Sequence, residues 1–199
     1  MFYPSLEEVK VLAKNFNIIP VTMEVYADME TPISLFKRFE NSKYCFLLES
    51  VEGGEKWARY SFIGRNPFLI VKSCDNKTTI EDENGNIKTE DGNPINVMKR
   101  LMKTYKGPDL PILPRFNGGA VGFFGYDLIR HYENLPNVNI DDLKLPDCHF
   151  MFTDEVIVFD HLKQKIHIVV NLHVDNNVEK IPVAFHKEYL KIRPNIIYK

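Results

Sequence analysis

Residues 148–159 read CHFMFTDEVIVF and residues 166–174 read IHIVVNLHV, with Asp160-His161-Leu162-Lys163 lying between the two runs. Branched and aromatic residues dominate both, so the spacing predicts a long antiparallel strand pair joined by a polar turn. Elsewhere too, hairpin-like strand runs outnumber alternating strand-helix units. The predicted class is therefore α+β, with largely antiparallel, β-sandwich-like sheets and helices packed outside them.

Working outward, GGAVGFFG at 118–125 reads as an apolar strand with spaced glycines, followed by a short helix or irregular stretch to Pro136. Thr78–Asp82 and Asn86–Glu90 flank Asn84-Gly85, a strong hairpin signal, and their polar composition predicts a solvent-exposed ribbon outside the core. Ala58–Ile63 and Phe68–Ser73 are strands separated by a Gly-Arg-Asn-Pro turn. Ile18–Tyr26 is a strand whose Pro20 points to an edge. Helices are predicted over 6–15, capped by the Ser5/Glu8 box, and from Thr31-Pro32 and Asn93-Pro94, each a cap followed by proline at the first helical position. A last helix spans about 178–192. No domain boundary, internal repeat or low-complexity tract is evident.

One stretch draws attention for function. Tyr44–Ser50, YCFLLES, reads as an interior strand apolar on both faces that ends in a carboxylate and a hydroxyl, followed by WARYSFIG at 57–64. Alternation puts Phe46, Leu48 and Ser50 on one face and Cys45, Leu47 and Glu49 on the other. A carboxylate buried there needs a cation, backbone donors or water. Lys56, Arg59 or a ligand ammonium would serve, so a small-ligand site is expected at Glu49 and Ser50, beside the alternative of simple solvation. Arg59 carries the same ambiguity between ligand clamp and surface stacking.

The remaining signals are weaker. The glycine stretch lacks the spacing of a dinucleotide or phosphate loop, and close strand crossing, a corner or a bulge accounts for Gly119, Gly122 and Gly125. His161, His167 and His173 recur at even steps, but six strand residues span about 20 Å, whereas ligands to one metal lie within about 2.1 Å of it. Asp127 with Glu133, and Asp154 with Glu155, read as surface charges.

Composition narrows the classes. The chain has 199 residues, 44% of them hydrophobic, and 25 basic against 27 acidic side chains give a net charge of -2. Neither nucleic acid nor an anionic membrane is expected as a partner. The three cysteines, Cys45, Cys74 and Cys148, lack a CxxC pair and read as small core residues in a reducing cytoplasm. The N-terminus shows no secretory signal, and no apolar run approaches the roughly 20 residues of a membrane span.

Taken together, the Thr31-Pro32 helix start, LLES at 47–50, ARYSFIG at 58–64, GGAVGFFGYD at 118–127 and LPDCHFMFTDEVIVFDH at 145–161 resemble component I of anthranilate synthase. That family makes anthranilate and pyruvate from chorismate and ammonia in tryptophan biosynthesis. The resemblance implies that residues 1–199 form its N-terminal regulatory part, with about 178–199 leading toward an absent C-terminal chorismate-binding half. LLES resembles the feedback element at which L-tryptophan lowers activity. Ser50 is then the first contact expected, followed by Glu49 and Arg59, with Leu48 and Pro32 shaping the pocket or its entrance. The resemblance implies no catalytic residue, metal or cofactor here, magnesium being held in the missing half. It implies two partners, that half and the glutamine amidotransferase of component II. A fragment inactive by itself, with weak tryptophan binding, is expected. Two alternatives stay open: the related aminodeoxychorismate synthase component I, and a stand-alone amino-acid sensor.

Overall fold

The computed structural model describes residues 2–39, 41–49, 59–136, 141–174 and 178–191. The chain divides into two compact units, the first made of Met1–Pro67, Tyr105–Gly118 and Thr153–Lys199, the second of Phe68–Thr104 and Gly119–Phe152. The sequence gives no sign of this division, because the chain passes between the units several times without a flexible linker.

The first unit is built on a six-stranded sheet in the order β1-β2-β11-β10-β4-β3. Its strands are β1 (Phe2–Tyr3), β2 (Ile18–Tyr26), β3 (Cys45–Leu48), β4 (Tyr60–Arg65), β10 (Glu155–Asp160) and β11 (Lys165–His173). Every pairing is antiparallel. One face carries Ile19, Val21, Ile63, Ile157, Phe159, Ile166, Ile168 and Val170. Packed in the same core are residues of α1 (Leu6–Leu12), α2 (Pro32–Lys37) and α4 (Ile181–Lys191), with Val9, Leu35 and Ile181 each no more than 2% exposed. Burying each such side chain stabilises the fold by about 1.5–3 kcal/mol. On the other face Val156, Val158 and Val169 pack beneath Leu113 and Phe116 of the proline-rich crossing. Cover on both faces explains why β10 and β11 are almost continuously apolar instead of alternating.

The second unit has a five-stranded sheet in the order β7-β6-β5-β9-β8, formed by β5 (Leu69–Cys74), β6 (Lys77–Asp82), β7 (Ile87–Asp91), β8 (Gly119–Phe124) and β9 (Cys148–Thr153, whose last residue belongs to the first unit). Helix α3 (Pro94–Thr104) packs on β6, burying Val97, Met98 and Leu101. The glycines of β8 serve close approach: a Cβ on Gly122 would lie 2.0 Å from the His149 carbonyl oxygen of the neighbouring strand.

The fold class is the α+β, largely antiparallel one expected, and several elements differ from expectation. The run 148–159 is two strands, not one: β9 and β10 lie in different sheets. The break falls at Asp154, where the backbone N–H of Asn171 donates to the Asp154 carbonyl at 2.8 Å and its side-chain amide donates to the Asp154 and Asn117 carbonyls. The polar ribbon is not decoration, since β6 joins β5 to β7 and buries Thr78 and Ile80. Strand β3 is not interior; it is the terminal strand of its sheet among the described residues. Cys148 is buried, but Cys74 is exposed and not a core residue. Pro20 lies on β2 opposite Asn171, beyond the two residues paired with β1, so its missing N–H falls where β2 has a described strand neighbour on one side only. Helix α1 ends at Leu12, short of the expected 15, with Ala13 as its C-cap.

Candidate functional site

The expected ligand site falls at the end of the β3–β4 pair. Register sets Leu47 opposite Ile63 and Leu48 opposite Phe62. Ile63 belongs to the helix-covered core, so Leu47 faces the side on which α2 packs. Leu48 sits with Phe62 on the other face, where Phe62 meets Phe116 edge-on at 5.4 Å. Pro32, buried at the first position of α2, and Leu48 therefore belong to opposite faces of this sheet. Leu48 is 44% exposed and Glu49 is exposed, so the strand ends toward solvent and does not carry its carboxylate into a buried place. Ser50, together with Lys56 and Trp57, lies outside the described residues.

Arg59 enters from the residue before β4. Its Nε and Nη2 donate to the two carboxylate oxygens of Asp160 at 3.1 and 2.7 Å, and its guanidinium lies 4.8 Å from the Tyr60 ring centroid. Asp160 Oδ1 also accepts the backbone N–H groups of Leu162 and Lys163, closing the turn after β10. Burial pushes the Asp160 carboxyl up, but the Arg59 and backbone hydrogen bonds outweigh it and hold the group below its ordinary value. Asp160 was not among the residues expected at the site. The available signal was its place at the head of a polar turn, where Asp caps free N–H groups.

Next to this pair, Ser61 Oγ and His161 Nε2 lie 2.8 Å apart. Ser61 is only 1% exposed, and the adjacent carboxylate of Asp160 is held by Arg59 and the turn, so the three are not arranged for nucleophilic catalysis. The described part of the strand end offers an apolar side chain, an exposed carboxylate and a guanidinium already fixed by a partner. No group of three His, Cys, Asp or Glu side chains among the described residues is placed to hold a metal ion. No helix among them is long and apolar enough to cross a membrane.

Residues 44–192 match the family model of the chorismate binding enzymes. The chain belongs to that family. Its relatives include anthranilate synthase component 1 of Acetivibrio thermocellus, 67% identical over 97% of this chain and 40% of that protein. The protein of the same name from Aquifex aeolicus is 37% identical over 88% of this chain and 36% of its own length. Among solved structures, anthranilate synthase component I from Streptococcus pneumoniae superposes with a TM-score of 0.52 at 27% identity, over 88% of this chain and 38% of that one. This member of the chorismate binding family thus spans between about a third and two fifths of the length of the relatives it matches. The match to a family model named for chorismate binding falls within the stretch for which the resemblance implies a regulatory role.

Proposed function

We propose that this chain is the tryptophan-binding regulatory part of an anthranilate synthase component I. The observation that carries the reading is 67% identity over 97% of the chain to the Acetivibrio thermocellus protein. In the complete enzyme, chorismate and ammonia, free or delivered by a glutamine amidotransferase subunit, give anthranilate and pyruvate in the cytoplasm. Magnesium and the reacting groups belong to the remaining part of the protein, and the 199-residue chain has no synthase activity by itself.

Tryptophan binds at the β3 end. Ser50 and Glu49 take its polar groups, Leu48 borders the indole, Pro32 shapes the approach from α2, and Arg59 supports this end through its clasp on Asp160. Feedback then requires tryptophan to prefer one arrangement of the complete enzyme over another, since a ligand shifts an equilibrium only by that preference.

Two measurements test this. Chorismate with ammonium and magnesium should yield no anthranilate fluorescence from the chain alone; appearance of product overturns the claim of inactivity. Millimolar L-tryptophan should shift the amide resonances of Leu48 and Glu49 weakly, and Ser50→Phe should abolish the shifts. Unmoved Leu48 and Glu49 resonances overturn the regulatory site. Tight binding by the chain alone points instead to a stand-alone sensor.

A further inference from the structure

At the opposite end of the same strand order, a cavity of about 420 Å³ opens beside β1 and β2, lined among others by Tyr3, Thr22, Glu24, Tyr26, Ile112 and Lys165. Its volume is that of a small-molecule site. The polar groups around it are unusually placed. Thr22 is 2% exposed and its hydroxyl has no hydrogen-bond partner. Register sets Tyr3 opposite Thr22, His167 opposite Glu24 and Lys165 opposite Tyr26, so one sheet face gathers all of them. The His167 side chain is 4% exposed, and its Nδ1 lies 3.6 Å from Glu24 Oε1 without a hydrogen bond. Glu24 Oε2 receives Lys165 Nζ at 2.7 Å, and both side chains remain about one-third exposed. A buried hydroxyl without a partner is destabilising, so this face is short of a donor or acceptor beneath the cavity.

We propose that this cavity is a second small-ligand site, for an aromatic α-amino acid. The ligand ammonium is met by Glu24 and the Thr22 hydroxyl, its carboxylate by Lys165, and its ring by Tyr3, Tyr26 and Ile112. A zwitterion matches because Glu24 and Lys165 present opposite charges side by side, so neither must give up a counter-charge. A simple anion or cation would have to break their pair.

The site is independent of the one proposed at β3, and the two separate cleanly by measurement. Amide resonances of the 199-residue chain are followed during titration with L-phenylalanine, L-tyrosine and L-tryptophan. Tyr3, Thr22, Glu24, Tyr26 and Lys165 should shift in a saturable way. Thr22→Val and Lys165→Met should each weaken this response about tenfold, the loss of about one charge-assisted hydrogen bond. Ile112→Trp, at a position 47% exposed and so able to accept a larger side chain, should abolish it by filling the space. Ser50→Phe should leave it unchanged. N-acetyl-L-phenylalanine amide, which lacks both charges, should bind at least tenfold more weakly. No shift at these residues, or an unaltered response in both Thr22→Val and Ile112→Trp, overturns the site. Equal binding of the blocked amide overturns the zwitterion assignment. Shifts confined to Leu48 and Glu49 sink this proposal and leave the β3 reading standing, and shifts confined to Tyr3 through Tyr26 do the reverse.

Discussion

Arg59 clasps Asp160 with two hydrogen bonds across 101 residues of sequence, and so ties the entry of β4 to the exit of β10. The Asp160 side chain is 1% exposed, which makes its charge costly unless both oxygens are partnered. Asp160→Ala removes the clasp and the acceptor for Leu162 and Lys163 together, so urea unfolding should show a loss of about 2–3 kcal/mol. Asp160→Asn keeps an acceptor for the turn and should lose less. Because the folded carboxyl is held below its ordinary value of 3.8, its contribution is complete above that pH and fades as pH falls through the folded value. Equal stability of Asp160→Ala and the parent would mean that the clasp holds nothing.

His167 gives a second, separable acid response. Burial pushes its pKa down from 6.5; Glu24 and Asp160 oppose this, while Lys163 and Lys165 add to it. The unfolded chain therefore takes up the proton first, and stability present above 6.5 should be lost as pH falls below it, at no more than about 1.4 kcal/mol per pH unit. His149, also lowered chiefly by burial, titrates in parent and variant alike. Urea midpoints measured from neutral to mildly acidic pH should fall less steeply for His167→Gln; identical slopes would contradict the burial of the imidazole.

In β8 the close approach at Gly122 is a backbone contact, because a Cβ there would lie 2.0 Å from His149 O and 2.7 Å from Phe150 Cα. Neither atom can swing aside as a side chain would. Gly122→Ala should destabilise the protein by about 3 kcal/mol, the upper end of the usual cost of overpacking, and loss of protection from amide exchange should centre on β8 and β9. A fully folded, unshifted Gly122→Ala protein would disprove the approach.

Much of this is legible in the sequence alone. Ser5 with Glu8 and Thr31 with Pro32 marked helix starts because a side-chain oxygen caps free N–H groups in any tertiary setting. Asn84-Gly85 marked its hairpin for a similar reason: Gly85 has φ +80°, which few residues accept. The antiparallel pairs β10–β11 and β6–β7 follow the expectation, and what fails is where one strand ends and another begins and which strand is interior. CHFMFTDEVIVF has one apolar texture from end to end, and only Asn171, far along the chain, reveals the break at Asp154. YCFLLES has the pattern of an interior strand because a terminal strand packed on one face and bordered by aromatics on the other shows the same apolar run. Arg59 was legible as a cation needing an anion, but its partner Asp160 stands 101 residues away and local spacing carries no trace of it.

Two cysteines should differ sharply toward thiol reagents. Cys74 is exposed, whereas Cys148 is buried and desolvation pushes its thiol up to about 11, with the hydrogen bond to the Ser73 backbone opposing the rise and Asp147 and Cys74 adding slightly to it. The thiolate is the reactive form, so Cys74 should label first in the folded protein and Cys148 only after unfolding. Mass spectrometry of partially labelled protein would locate the modification, and early labelling of Cys148 would contradict its burial.

The start of α2 offers a test of how the candidate site is supported. Thr31 Oγ1 accepts the Ser34 N–H at 3.1 Å, and Ser34 Oγ accepts the Thr31 N–H at 2.9 Å, so each side chain satisfies the other's backbone. Ser34 also donates to Glu30, whose other oxygen pairs with Arg38. The cap fixes where α2 begins and hence where Pro32 and Leu35 meet β3 and β4. Thr31→Ala should cost about 1 kcal/mol. Because the two caps are reciprocal, Thr31→Ala with Ser34→Ala should cost less than the sum of the single changes, since the second substitution removes a bond already weakened by the first. Strict additivity in urea unfolding would show two independent bonds and no shared cap. A tryptophan response at Leu48 and Glu49 that weakens in Thr31→Ala would place the cap among the elements that hold the β3 end in its binding shape.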